Sequence, residues 1–234
     1  NVNTTGFKRD RAVFEDLLYQ NIRQAGGQTG ADTLAPTGLM MGTGTRVLAN
    51  EKIHAQGNMI NTENALDIAV DGSGFFQLQQ DDGTLAYSRD GGFKISATGQ
   101  VVTANGQLLN PAIVIPDNAA SITIGRDGTV SAELVAGGGQ VQLGQITLAR
   151  FVNPAGLQPM GQNLYKQTAA SGAPQVQVPG VGGAGTLRQG MLEASNVSVV
   201  EEMVAMIETQ RAYEVNSKSI SATDSMLKYL NQTL

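Results

Sequence analysis

The chain has 234 residues, with no Cys, no Trp, a single His and a formal net charge of −5. Absence of Cys removes disulfides, thiol catalysis and zinc sites built on thiolates, and mild acidity without a Lys/Arg run speaks against nucleic acid as a partner. No apolar run is long enough to cross a membrane; only 15% of residues are charged and 29 are Gly, a balance that suits a β-rich body joined by turns.

Residues 1–24 open with the turn-forming cluster Asn3-Thr4-Thr5-Gly6. Val13, Phe14, Leu17, Leu18 and Ile22 then fall at helical spacing, and Gly26-Gly27 would stop such a helix. The same run also reads as a strand of a hairpin, with helix the leading reading. Residues 25–46 mix Gly26, Gly27, Gly30, Gly38, Gly42, Gly44 and Pro36 with Thr, Ala and a Leu39-Met40-Met41 patch, and show no period. Two readings stand for this segment. It is a flexible linker, or it orders only on assembly, with Leu39, Met40 and Met41 inserted into a neighbour.

From Leu66 to Phe151 short β-type runs alternate with turn dipeptides. Asp82-Gly83, Asp90-Gly91, Asn105-Gly106 and Asp127-Gly128 are hairpin signals. Residues such as Ile68, Val70, Phe76, Leu78, Phe93, Ile95, Val101, Leu108, Ile113, Ile124, Val130, Val141 and Leu148 supply apolar faces for an antiparallel body. Asn153-Pro154 marks a loop, and Gly172 to Gly190 a Gly/Pro-rich connection.

Ser198 to Leu234 reads as one uninterrupted helix of roughly 50 Å. Val199, Met206, Tyr213, Ile220, Leu227 and Leu234 recur every seven residues, the period of a coiled-coil seam. Ser198 with Glu201 forms a capping box, and Glu214–Lys218 and Asp224–Lys228 have the four-residue spacing of exposed ion pairs. The second seam row starts apolar at Met203 and continues as Gln210, Ser217, Asp224 and Asn231. Such a helix either lies on a globular body or packs on helices of other chains, and its length favours the second.

No residue set carries chemistry. His54 is the only histidine and stands without a recognisable triad or metal pattern. Gly180-Val181-Gly182-Gly183-Ala184-Gly185 matches GxGxxG, but Pro179 precedes it and Thr186 to Gly190 does not open a helix, so no dinucleotide site is expected. The Asp-Gly pairs lack the spacing of a calcium loop. Glu201 and Glu202 suit the positive end of a helix dipole without any acid/base role. The expectation is a protein that is not an enzyme and has no cofactor or metal. The fold expected is α+β, mostly β: an antiparallel body with a long C-terminal helix.

Several stretches carry a resemblance. Asn3-Thr4-Thr5-Gly6-Phe7-Lys8-Arg9 resembles the sequence that follows the N-terminal helix of bacterial flagellar rod and hook proteins. Residues 57–76, GNMINTENALDIAVDGSGFF, with Gly72, Gly74, Phe75 and Phe76, resemble the shared core motif of that family, and residues 87–109 continue it. Residues 153–165 are similar too. Residues 189–227, with Gln210, Arg211 and Tyr213, resemble the family's C-terminal signature. No room exists for the added outer domain of the hook subunit, and residues 25–46 are similar to the stretch that distinguishes the distal rod from the hook, where it is associated with a straight and stiff tube.

The resemblance implies a structural subunit of the distal rod. Such a subunit polymerises into a helical tube that spans the periplasm and transmits torque; a proximal rod or hook-type subunit is the alternative within the family. A secreted β-rich glycan-binding module is the alternative from another class. Implied partners are further copies of the chain, other rod proteins, the hook protein, the outer-membrane and peptidoglycan ring bushing and the export apparatus, with no nucleic acid and no membrane insertion. The chain opens at Asn1 without Met, and the family implies a helix before Asn3 that would partner the C-terminal one. Residues 1–24 and 190–234 are expected to form an inner coiled-coil region, residues 25–50 an extended connecting segment, and residues 51–189 an outer β domain. Val199, Met203, Met206, Ile207, Tyr213, Ile220, Leu227 and Leu230 on the helix, with Leu39, Met40 and Met41, are the expected assembly contacts.

Overall fold

A computed structural model describes residues 1–26, 36–135 and 139–233. The chain first makes a projecting ribbon from β1 (Asp10–Asp16), β2 (Tyr19–Arg23), β3 (Leu39–Gly42) and β4 (Thr45–Lys52). β1 pairs antiparallel with β4, from Asp10 opposite Lys52 to Asp16 opposite Thr45, and β2 pairs with β3. The helical reading of residues 13–22 is therefore corrected. Val13, Phe14, Leu17, Leu18 and Ile22 do fit a helical spacing, but nothing lies beside them for a helix to pack on. Pairing with a strand some thirty residues later satisfies the backbone instead. Residues 39–46 of the unperiodic stretch belong, with residues 47–52, to the returning side of this ribbon, and Gly27 and Gly30 lie outside the described residues.

The body follows as β5 (Met59–Asn61), β6 (Ile68–Asp71), β7 (Phe75–Gln79), β8 (Leu85–Ser88), β9 (Phe93–Ile95), β10 (Val101–Thr103), β11 (Leu108–Asn110), β12 (Ala119–Ile124), β13 (Thr129–Leu134), β14 (Gln140–Gln145) and β15 (Leu148–Arg150). A one-turn 3-10 helix (Pro154–Gly156) leads to β16 (Gln158–Gly161), β17 (Leu164–Lys166), β18 (Gln175–Gln177), β19 (Thr186–Gln189) and β20 (Met191–Glu193). Nine of these strands form the main sheet, ordered β16-β17-β8-β7-β11-β10-β9, with β15 bridging β7 and β18. β12, β13 and β14 make a second sheet, while β19 pairs with β6 and β20 with β5. Asp82-Gly83, Asn105-Gly106 and Asp127-Gly128 do turn hairpins, between β7 and β8, β10 and β11, and β12 and β13. Asp90-Gly91 does not: it crosses from β8 to β9, and Gly91 lies so close to β6 that a Cβ there would sit 1.7 Å from the Ile68 carbonyl oxygen.

β7 explains why the body has a core on both faces. Its sequence Phe-Phe-Gln-Leu-Gln places successive side chains on opposite sides. Phe76 and Leu78 join Ile68, Val70, Phe93, Leu109, Ile113, Ile146 and Leu148 on one side. Phe75 joins Tyr87, Ala149, Phe151, Leu157 and Tyr165 on the other. The edge-to-face pairs Phe76–Phe93 and Tyr87–Phe151, at 5.1 and 4.8 Å between centroids, lock one cluster each. Of the apolar residues expected inside, Ile95 and Val141 are exposed instead.

Helix α1 (Val199–Thr233) is unbroken; Leu234, the last member of the seven-residue row, lies outside the described residues. Ser198 caps it from both ends of the residue: its carbonyl accepts from Glu202 N at 3.0 Å and its hydroxyl from Glu201 N at 3.5 Å. Asp224 and Lys228 form the expected pair at 3.3 Å.

Candidate assembly surfaces

The Asn3–Arg9 motif is the seat on which the body, the ribbon and α1 meet. Gly6 takes φ +66°, and a Cβ there would stand 2.7 Å from Asp90 N, so the chain passes against the β8–β9 crossing only as glycine. Gly6 N donates to the Glu193 carbonyl at 2.8 Å, Thr5 Oγ1 to Asp90 Oδ1 at 3.0 Å, and Asn163 Nδ2 to the Thr5 carbonyl at 2.8 Å. Asn3 and Thr4 belong to the turn before it, with Thr4 N donating to the Asn1 carbonyl. The Phe7 ring lies under the Lys52 ammonium at 5.2 Å.

Behind this seat sits a buried charge cluster that the sequence did not announce. Lys8 and Glu193, both fully enclosed, pair at 2.5 Å, and Arg89 Nε lies 3.3 Å from the other carboxylate oxygen. Glu193 also accepts from Gly57 N at 2.9 Å, and Lys8 donates to the Ala55 carbonyl at 2.7 Å. Arg89 donates to the carbonyls of Gly74 and Gly72 at 2.8 and 2.7 Å. The motif residues Gly72, Gly74, Phe75 and Phe76 thus serve the fold: the glycine carbonyls receive Arg89 and the two rings fill the two cores. Burial pushes the Lys8 ammonium down, opposed by its bond to Glu193. Each member lies far from the others in sequence, so no local pattern marks them. The available signal was an acidic residue, Glu193, in an otherwise uncharged run just before the helix.

His54 lies beside this cluster, edge-on to Phe75 and Tyr165 at 5.5 and 5.4 Å. Burial first, then the Lys8 and Arg89 charges, push its pKa down to about 4, while the Pro154 carbonyl opposes them. Its imidazole is neutral at pH 7 and packs half-buried against the rings of Phe75 and Tyr165. The GxGxxG run forms a turn, with Gly180 N bonded to the Gly185 carbonyl, and runs into strand β19 rather than a helix. Among the described residues no cluster of acidic or imidazole groups is placed to hold a metal, and no helix is long and apolar enough to cross a membrane.

The two projecting elements have the opposite character. Every described side chain of α1 from Val199 to Tyr229 is exposed, including Val199, Met203, Met206, Ile207 and Leu227, with Tyr213 at 76% and Ile220 at 70%. Gln210 and Arg211 are exposed on the same helix; Leu230 belongs to α1, but its side chain lies outside the described residues. On the ribbon, Phe14, Leu18, Tyr19, Ile22, Leu39, Met40, Met41, Val47 and Leu48 are all exposed. An isolated protein rarely exposes contiguous apolar surface on this scale; surfaces of this kind are completed by other chains.

Fold and surfaces together define the class, a structural subunit with a closed β body and exposed apolar arms. Residues 69–132 match the family described as the flagellar hook protein FlgE/F/G D1 domain, and residues 188–233 the flagellar basal body rod FlgEFG protein C-terminal family. The flagellar basal-body rod protein FlgG of Buchnera aphidicola from Acyrthosiphon pisum is 52% identical over 99% of this chain and 89% of its own length. Two relatives from Caulobacter vibrioides discriminate within the group: its FlgG is 45% identical, covering 99% of this chain and 89% of the relative, and its FlgF 35%, covering 95% and 83%. The chain belongs to the FlgG family of flagellar basal-body rod proteins.

Proposed function

We propose that the chain is a structural subunit of the distal rod of the bacterial flagellum, polymerising into a helical tube that carries torque from motor to hook. The observation that supports this best is the exposed apolar row of α1 in a chain whose body has already closed its own core. Contacts that repeat from copy to copy without closing into a ring build a filament. Val199, Met203, Met206, Ile207, Tyr213, Ile220 and Leu227, with Leu230 beyond them, are the helix contacts of that tube, and Leu39, Met40 and Met41 a second contact made by the ribbon. In this reading residues 1–24 and 190–234 belong to the inner region, residues 25–50 link the inner and outer parts, and residues 51–189 form the outer layer. The chain assembles with other rod and hook components of the flagellum. Export through the flagellar secretion apparatus and rotation within the outer-membrane and peptidoglycan rings complete the reading.

The test is the double substitution Ile220→Asp with Leu227→Asp, introduced into the gene that encodes this chain. It should abolish motility and leave basal bodies without a distal rod in electron micrographs, while the purified variant keeps its β body. Motility and rods at the native level would overturn the reading.

A further inference from the structure

Ribbon and helix leave the body from one place. Ile53 N, at the end of the ribbon's returning side, donates to the Arg9 carbonyl at 2.9 Å, and Lys52 Nζ reaches the Lys8 carbonyl at 3.3 Å and Asp10 at 3.0 Å. Asn196, three residues before α1, accepts from Arg9 N at 2.8 Å and donates to the carbonyls of Ile53 and Ala55 at 2.8 and 3.1 Å. Its own N–H bonds the Phe7 carbonyl at 3.4 Å. Arg9 reaches Glu201 and Glu202 in the first turn of α1 at 3.2 and 3.7 Å. Three residues upstream, Glu193 gathers Lys8, Gly57 N and Arg89, and Arg89 passes on to the carbonyls of the β6–β7 turn.

We propose that Asn196 and Glu193 form a rigid joint that fixes the directions of helix and ribbon relative to the body. Apolar burial is non-directional, and neither arm buries an apolar face on the body. Direction must therefore come from hydrogen bonds, whose strength falls steeply with misalignment. Asn196 makes four of them, to both strands at the ribbon root. Buried ion clusters add little net stability compared with apolar replacements, but parting the segments that carry Lys8, Arg89 and Glu193 would leave buried charges uncompensated, which is strongly unfavourable. Glu193 and Asn196 are thus positioning residues. They hold the angle at which the assembly surfaces face neighbours, and they connect α1 through Arg89 to the turn that opens β7 in the middle of the main sheet. Resting on the rod reading, the mechanical corollary is that torque enters the body at this joint.

The chain contains no Cys, so two introduced cysteines can be spin-labelled without background. Labels at Gln20→Cys on the ribbon, Glu208→Cys on α1 and Ala97→Cys on a body turn, taken in pairs, report the three directions by pulsed electron resonance. The native joint should give narrow distance distributions for the ribbon–helix and body–helix pairs. Asn196→Ala should at least double both widths while leaving the near-ultraviolet circular dichroism of the β body unchanged, and Asn196→Asp, which keeps the acceptor for Arg9 N, should restore part of the narrowing. Glu193→Gln should broaden the body–helix pair as well. If that variant loses the body spectrum, the Asn196 pair of variants, which leaves the buried carboxylate intact, decides alone. Distributions already broad in the native chain, or unchanged in Asn196→Ala, would overturn the joint. That outcome is separable from the rod reading, which stands or falls on motility.

Discussion

The body and the arms of this protein follow opposite rules. In the body, β7 buries Phe75 and Phe76 on its two faces and the apolar surface is consumed inside one chain. In the arms, Phe14 and Tyr19 on the ribbon and Tyr213 and Ile220 on the helix face outward. The same residue types therefore carry different information by location. An aromatic in the body contributes to folding of the monomer, while an aromatic in the arms buries nothing within this chain. On the proposed rod reading, folding and assembly are encoded in separate residues, and each can be damaged without the other.

That separation can be broken or sharpened by substitution. Phe76→Ala should cost the body about 3–5 kcal/mol, measured by urea unfolding followed through tyrosine fluorescence. Gly91→Ala should follow at about 3 kcal/mol, because the new methyl would meet the backbone carbonyl of Ile68 at 1.7 Å and the Phe76 ring at 3.2 Å. His54 gives a pH-dependent effect. Its pKa is about 4 folded against 6.5 unfolded, so the unfolded chain takes up the proton first as pH falls. The stability His54 confers is complete above pH 6.5 and is lost progressively as pH falls through 4, about 3 kcal/mol in all. In His54→Phe the fall in stability between pH 7 and 4.5 should be shallower than native by about 2 kcal/mol. Ser198→Ala, which removes one cap, should lower the thermal midpoint of the helical signal alone, by an effect of about 0.5–1 kcal/mol. Smallest of all, Ile220→Asp should leave the body's unfolding curve within about 0.5 kcal/mol of native although assembly is lost; a large shift would mean that α1 packs on the body.

Legibility in the sequence divided along the same line. The hairpins at Asp82-Gly83 and Asn105-Gly106 were readable because a two-residue turn encodes its own conformation. The helix was readable because Val199 to Thr233 has neither Gly nor Pro and a seven-residue row. The ribbon was not, since β1 depends on β4 and no local alternation distinguishes its exposed residues from a helix face. Asp90-Gly91 misled for a related reason: its glycine answers to a carbonyl on β6, not to a turn. The Lys8–Glu193–Arg89 cluster lay furthest out of reach, its members being joined only by the finished fold, whereas the seven-residue row of α1 stood out by its spacing, and its members from Val199 to Leu227 are exposed.

One detail of α1 bears on how a partner can approach it. Thr209, Ser219, Ser221, Thr223 and Ser225 each donate their hydroxyl to the carbonyl four residues earlier, at 2.8–3.0 Å. Such bonds slightly loosen a helix, but they also leave the hydroxyl protons already engaged. A neighbouring chain that closes over this stretch strips water from the rod of the helix without orphaning a donor. The Ser/Thr-rich middle of α1 is therefore a surface that tolerates being covered from several azimuths, so that one sequence can meet non-identical neighbours around a curved wall.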